Sequence, residues 1–196
     1  MFLSETRRAL VRIFSLRPRD HGSIPIKFVS RLIDVDYYNS QKSGHPLKSE
    51  RAVLRHYQSE GFKQFLNPHR LFDERWYQDH NDDVRKAKIP GLFHYLQFGF
   101  GEGRSPHPLI SEERYRRLYQ DVVKARVPAL VHYLEFGFGE GRSPHPLFDE
   151  GWYRETSGVD VGVPCLLHYV EVGWREGRSP HPAISDDFLK FLLKSS

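Results

Sequence analysis

The chain repeats one stretch, His94-Tyr95-Leu96-Gln97-Phe98-Gly99-Phe100-Gly101-Glu102-Gly103-Arg104-Ser105-Pro106-His107-Pro108-Leu109, almost letter for letter at residues 132–147 and in altered form at 168–183. The steps between the three occurrences are 38 and 36 residues. A period between about 20 and 50 residues is typical of repeat arrays. The sequence therefore predicts one continuous body built from tandem copies of a single unit.

Five copies of this unit can be followed from residue 33 onward. Each begins with an apolar residue, then Asp or Ser, then an apolar or aromatic residue four positions later, which is the pattern of a helix N-cap inside a hydrophobic staple. The sets are Ile33-Asp34-Tyr38, Phe72-Asp73-Tyr77, Ile110-Ser111-Tyr115, Phe148-Asp149-Tyr153 and Ile184-Ser185-Leu189. The copies span about residues 33–71, 72–109, 110–147 and 148–183, with a half copy at 184–196, and form a helical repeat domain over 32–196.

A second helix is predicted in the copies that begin at residues 72, 110 and 148, where proline is well placed at the first helical position because its missing N–H would be unpaired there anyway. Glycine follows the helix in each copy and is predicted to end it in the left-handed conformation. A Ser-Pro-His-Pro segment then has to be extended. We expect an all-α solenoid of about four helix pairs with a period of 36–39 residues and a terminal capping helix. The three prolines are Pro90, Pro128 and Pro164, and the three glycines are Gly99, Gly137 and Gly173.

The composition is that of a folded chain. Of the 196 residues, 39% are apolar and 14% are aromatic, which is enough to bury a sizeable core. The single cysteine, Cys165, excludes an intramolecular disulfide and a cysteine-cluster zinc site, which fits a reducing, cytoplasmic location. No apolar run approaches the roughly 18 residues that span a bilayer, and the first residues do not read as a signal peptide.

The net charge of +4 is unevenly distributed. Residues 1–31 carry seven Lys or Arg against two Asp or Glu, whereas residues 32–196 carry 22 against 23. The basic excess therefore lies in the N-terminal arm, and the repeat domain is neutral. A neutral body argues against nucleic acid as the partner.

Residues 1–31 form this basic arm and a linker. Residues 1–17 predict a short amphipathic helix in which Arg7, Arg8 and Arg12 stand among apolar residues such as Phe14. Basic flanks and an apolar face are typical of a helix that lies on a membrane surface, here the inner leaflet. The alternative is a helix that packs its apolar stripe on the first copy.

The repeat resembles a known family. The series Phe-Asp-x-x-Trp-Tyr from Phe72, a proline-started helix and then His-Tyr-Leu-x-x-Gly-x-x-Glu-Gly-Arg-x-Pro-x-Pro from His94 is similar to a tandem repeat of bacterial proteins of cell-surface polysaccharide synthesis. Such repeats are fused to, or encoded beside, glycosyltransferase domains. The resemblance covers residue 33 to about residue 193, and it implies a glycan setting without identifying the role of the repeat. The chain itself contains neither a Gly-rich nucleotide-binding turn nor an Asp-x-Asp motif in a strand context.

One polar set recurs in three copies and is the candidate binding site. An Arg beside a carboxylate and aromatic rings suits a sugar or an anionic glycan, because guanidinium groups bind carboxylate and phosphate in a planar fork. Alternatively, the same side chains hold one repeat against the next, which is the commoner role of residues that recur in repeats. The set consists of His94, Glu102, Arg104 and His107, then His132, Glu140, Arg142 and His145, then His168, Glu176, Arg178 and His181.

The sequence predicts neither a metal site nor a cofactor. The spacing of the two histidines in each set is not one that metal sites use, and no recurring nucleophile–base pair indicates catalysis. The leading hypothesis is a non-catalytic binding or scaffold module that binds a glycan or a glycosyltransferase. A general protein–protein adaptor without glycan contact is the alternative, and an enzyme and a nucleic-acid binder rank after these.

Overall fold

The computed structural model describes residues 26–185, and every regular element in that range is helical. The all-α class is therefore confirmed for this part of the chain. The predicted arm helix, with Arg7, Arg8, Arg12 and Phe14, lies outside the described residues, as does the helix predicted after Ser185. No helix of residues 26–185 is both long and apolar enough to cross a bilayer.

The helices are short and follow the repeat. In the first part of the chain they are α1 (Ile26–Arg31), α2 (Val35–Ser40), α3 (Glu50–Ser59) and a 3-10 turn (Gly61–Gln64). The two central copies contain α4 (Glu74–Asp79), α5 (Asp82–Ala87) and α6 (Gly91–His94), then α7 (Glu112–Leu118), α8 (Gln120–Ala125) and α9 (Ala129–His132). The fourth copy contains α10 (Glu150–Ser157) and α11 (Cys165–His168). The π turns Tyr95–Gly99, Tyr133–Gly137 and Tyr169–Gly173 extend α6, α9 and α11.

The predicted N-caps are confirmed in all four described copies. In each, the side-chain oxygen of the capping residue accepts the backbone N–H three residues later, as expected for an N-cap. The staple is also formed, since the rings of Phe72 and Tyr77 lie 5.6 Å apart between centroids. The capping bonds join Asp34 to Tyr37 (2.9 Å), Asp73 to Trp76 (2.9 Å), Ser111 to Arg114 (3.4 Å) and Asp149 to Trp152 (2.9 Å).

The two central copies contain a third helix, α5 or α8, that the sequence analysis did not predict. Each has six residues, too few to show a helical period in the sequence. Acidic residues in the first turn favour it through the helix dipole. Lys88 and Arg126 end these helices in the left-handed conformation, with φ of 54° and 51°.

The prediction that the glycine after the second helix is left-handed was wrong. Gly99 does not have positive φ, and the left-handed glycine is Gly103 in the following turn (φ 77°). A Cβ atom at Gly99 would instead overlap the hydroxyl group of Tyr77. Gly99 is therefore required by the close approach of a buried tyrosine, and Gly137 and Gly173 meet Tyr115 and Tyr153 in the same way.

Each copy is closed by the same backbone hydrogen bond. The N–H of Asp73 donates to the carbonyl oxygen of Pro106 (3.0 Å) in the extended Pro-containing segment, or strut, at the end of the same copy, and three other N-cap residues make the equivalent bond. The core between the copies contains a row of buried tyrosines. Arg70 pairs with Glu171, so the first copy contacts the fourth. The row consists of Tyr38, Tyr57, Tyr77, Tyr95, Tyr115, Tyr133 and Tyr153.

Candidate binding site

The turn after α6 places Arg104 at the centre of a polar cluster. Its Nε atom lies 2.7 Å from Oε2 of Glu102, and its Nη1 atom lies 2.8 Å from Oδ1 of Asp83 on α5. Nη1 also donates to Oδ1 of Asn81 at 3.0 Å. The guanidinium group thus ties the Gly-rich turn to the start of α5 within one copy.

His94 borders this cluster from α6. Its Nδ1 atom is 2.9 Å from the hydroxyl oxygen of Tyr77. Burial, and then the positive charge of Arg104, lower the pKa of His94, so the ring is neutral at neutral pH. The ring of Phe98, one helical turn later, lies 5.8 Å from the His94 ring and is 46% exposed.

The third copy builds the same cluster. Arg142 lies 2.6 Å from Glu140 and 2.9 Å from Asp121 on α8, and it stacks on the ring of Tyr119 at 4.5 Å. His132 Nδ1 lies 3.0 Å from the Tyr115 hydroxyl oxygen. As in the second copy, an exposed phenylalanine follows: the ring of Phe136 is 5.7 Å from that of His132 and is 56% exposed.

The fourth copy keeps part of this arrangement. Arg178 pairs with Glu176 at 2.5 Å and donates to the carbonyl oxygen of Ser157 at 3.0 Å, because no helix equivalent to α5 is present to supply an aspartate. His168 keeps its tyrosine partner, with Nδ1 3.0 Å from the Tyr153 hydroxyl oxygen. Val172 stands where Phe98 and Phe136 stand in the central copies.

The last histidine of each predicted set is bonded elsewhere. Nδ1 of His107 accepts the N–H of Leu109 at 3.1 Å, and His145 and His181 make the same local bond to Leu147 and Ala183. Burial lowers the pKa of His107 to about 4, and the nearby rings of His69 and His145 lower it further. These histidines brace the extended struts, so the structure gathers three of the four predicted members of each set.

In comparisons with known families, curated proteins and solved structures, nothing matched this chain. Among residues 26–185, no three His, Cys, Asp or Glu side chains come together in a way that could hold a metal ion.

Each central cluster suits a ligand rich in hydroxyl groups. Arg104 is already paired with two carboxylates, and it lowers the pKa of Asp83 to about 2, so both charges persist at neutral pH. Paired carboxylates, a guanidinium group and an amide oxygen offer both donors and acceptors at the surface. An isolated anion would gain little from Arg104, because the carboxylates of Asp83 and Glu102 neutralise its charge.

Sequence reasoning missed two groups of residues. The first contains Asp83 and Asp121, whose recurrence after 38 residues was the available signal. The second is a set of buried tyrosine–glutamate pairs between neighbouring copies, always 17 residues apart in sequence. Each glutamate directly follows an N-cap residue in the sequence. The pairs are Tyr57–Glu74, Tyr95–Glu112 and Tyr133–Glu150.

Proposed function

We propose that this protein is a non-catalytic binding and scaffold module of bacterial cell-surface polysaccharide biosynthesis. Its described copies stack as a solenoid of about four units, in which the contact between Arg70 and Glu171 draws the first and fourth copies together. The repeated clusters bind a glycan, and the same surface positions a glycosyltransferase on that glycan. The sequence resemblance supports the role in polysaccharide biosynthesis, and the clusters supply the residues that contact the glycan.

The observation that carries this proposal is the repetition of one surface arrangement. In the second and third copies an exposed phenylalanine stands beside a neutral histidine and an ion-paired arginine. Sugars present hydroxyl groups at their edges and apolar C–H faces, so a flat aromatic ring with nearby donors and acceptors suits them. A polymer with a repeating unit is the ligand that a row of equal sites fits best.

A general protein–protein adaptor is the second candidate. It is favoured by the exposure of Phe98 and Phe136, since apolar side chains rimmed by charges also mark protein interfaces. In this alternative the clusters hold α5 and α8 in place and only the phenylalanines contact the partner. The two candidates differ in whether a purified polysaccharide binds in the absence of any other protein.

The decisive experiment is binding of the purified chain to acidic and neutral bacterial polysaccharides at two salt concentrations. We expect saturable binding to a neutral polysaccharide with little salt dependence, and its loss in the double variant Phe98→Ser/Phe136→Ser. The matched control is Leu118→Ser/Leu147→Ser, which removes two equally exposed apolar side chains outside the clusters. Absence of binding to every polysaccharide would reject the glycan proposal and favour the adaptor.

For the arm we propose contact with the inner membrane surface from the cytoplasm. The support is its sequence alone, which places Arg7, Arg8 and Arg12 among apolar residues. The test compares the full chain with a chain that lacks residues 1–22 in sedimentation with anionic vesicles. Equal sedimentation of both would contradict membrane contact and favour a helix that packs on the first copy.

A further inference from the structure

A recess of about 350 Å³ opens at the boundary between the first and second copies. It lies between the 3-10 turn Gly61–Gln64, with the residue that follows it, and the helices α4 and α5. The sequence departs from the repeat at several of its lining positions. The residues that line the recess are Phe62, Lys63, Phe65, Gln78, Arg85 and Lys88.

The recess is open because Gln78 is shorter than its counterparts in the third and fourth copies, Arg116 and Arg154. At the next boundary the equivalent residue is Arg116, whose guanidinium group reaches across and donates to the carbonyl oxygen of Phe100. Phe62 is the counterpart of Phe100 at the first boundary. Gln78 instead donates to the buried carboxylate of Glu74 at 2.5 Å. The space that an arginine fills at the next boundary is therefore left free at this one.

The walls of the recess carry positive charge. Lys63 and Arg85 replace the residues that the next copy has at these positions, which are Gly101 and Val123. No acidic side chain lines the recess. Lys63 has one ion pair, to Glu60 at 3.4 Å, and Arg85 pairs with Asp82. Within residues 26–185, Lys88 makes no ion pair.

Phe65 gives the recess an aromatic wall at a conformational cost. Its φ is 56°, in the left-handed region that a bulky residue rarely adopts. The three later copies place Gly103, Gly141 and Gly177 at this position, all with positive φ. Phe65 ends the 3-10 turn in this conformation, and backbone strain of this kind clusters at functional sites. Arg75 stacks on the Phe65 ring, with 4.1 Å between the guanidinium carbon and the ring centroid, and adds another cation beside the recess.

We propose that this recess binds an anionic sugar, that is, a sugar ring that carries a phosphate or a carboxylate group. The anion lies among Lys63, Arg85 and Lys88, which supply charge-assisted hydrogen bonds. The apolar side of the sugar ring packs against Phe65. Its lining residues are not those of the repeated clusters, so this site does not depend on what those clusters bind.

The test is titration of the full chain with glucose phosphate and with glucuronate, followed by calorimetry at two salt concentrations. Glucose and inorganic phosphate are the reference probes. We expect binding of at least one acidic sugar, weakening with salt, and no binding of glucose. If inorganic phosphate binds as tightly as glucose phosphate, recognition of the ring by Phe65 is refuted. If neither acidic sugar binds, the whole proposal is refuted.

Two variants test whether the recess is the place where the acidic sugar binds. Gln78→Arg fills the recess, and the chain accommodates arginine there, since Arg154 at the equivalent position of the fourth copy pairs with Glu150 at 2.8 Å. Arg85→Val removes an exposed cation and restores the residue of the next copy. Each is expected to weaken acidic-sugar binding about tenfold or more, while the melting temperature remains near that of the parent chain.

The matched control is Arg116→Gln, which removes the corresponding arginine at the next boundary. That boundary has Gly101 and Val123 in place of Lys63 and Arg85, so a cavity there keeps a single cation, Arg126, at the position of Lys88. Acidic-sugar binding is expected to be unchanged in this variant. Undiminished binding in both Gln78→Arg and Arg85→Val would show that the recess is not the site.

Discussion

The hydroxyl group of Tyr95 donates a 2.6 Å hydrogen bond to Oε2 of Glu112 across the boundary between the second and third copies. Oε1 of the same carboxylate accepts the N–H of Ala129, the first residue of α9, at 3.1 Å. Glu112 on α7 thus joins Tyr95 of the second copy to α9 of the third copy. Tyr133, Glu150 and Cys165 repeat this arrangement at the following boundary. A buried carboxylate at each boundary therefore holds neighbouring copies together.

Replacement of Glu112 by Gln should destabilise the fold. In a Gln side chain an NH₂ group takes the place of one carboxyl oxygen, and it cannot accept the hydrogen bond that Tyr95 or Ala129 donates at that position. We expect a loss of about 2 kcal/mol in the free energy of unfolding near pH 6. Urea denaturation measures it. The control is Glu113→Gln at the exposed neighbouring position, and equal losses in both variants would refute the special role of Glu112.

The effect of Glu112→Gln should depend on pH. Burial raises the pKa of Glu112 from 4.5 to about 7 in the folded chain. Below pH 4.5 the carboxyl group is protonated in both states, and its contribution to stability is complete. As pH rises towards 7, the unfolded chain ionises first, so this contribution is lost. The destabilisation by Glu112→Gln should therefore shrink between about pH 5 and about pH 8, and urea titrations across this range would contradict the prediction if it grew.

Gly99→Ala should destabilise the fold through a clash with a single atom. The added Cβ would overlap the hydroxyl oxygen of Tyr77. We expect a loss of about 2 kcal/mol, of the size usual for overpacking in a core. In the Tyr77→Phe background the same substitution should cost much less, because the hydroxyl group is gone. Thermal unfolding of the parent chain, Gly99→Ala, Tyr77→Phe and the double variant forms a double-mutant cycle. A coupling free energy near zero between the two substitutions would contradict this account.

Local features of the fold were predictable from the sequence, whereas contacts between distant segments were not. The caps Asp73 and Ser111 act on N–H groups three residues away, so a short stretch contains all the information. The pairing of Arg104 with Asp83 requires α5, which is too short for its period to be read. The need for Gly99 arises from Tyr77, 22 residues earlier, and no local pattern reveals that contact.

The candidate site, too, could be predicted from the sequence only in part. The grouping of His94, Glu102 and Arg104 followed from their recurrence and is present in the structure. His107 recurs equally well but braces its strut, because recurrence does not say which way a side chain points. The recess beside Gln78 could not be predicted from the features that the copies share, because it arises from differences between them.

His107→Asn should make the chain more resistant to acid. Burial lowers the pKa of His107 from 6.5 to about 4. Above pH 6.5 the ring is neutral in both the folded and the unfolded state. Between about pH 6.5 and 4 the unfolded chain binds a proton that the folded chain does not, so the free energy of unfolding decreases as the pH is lowered. Asn does not titrate, and its side-chain oxygen can replace Nδ1 as acceptor for the N–H of Leu109. The stability of His107→Asn relative to the parent chain should therefore rise as the pH is lowered through this window, as measured by urea denaturation. The control for the exchange of a histidine for an asparagine is His45→Asn at an exposed position. If the free energies of unfolding of His107→Asn and of the parent chain change with pH in parallel, this histidine does not limit acid stability.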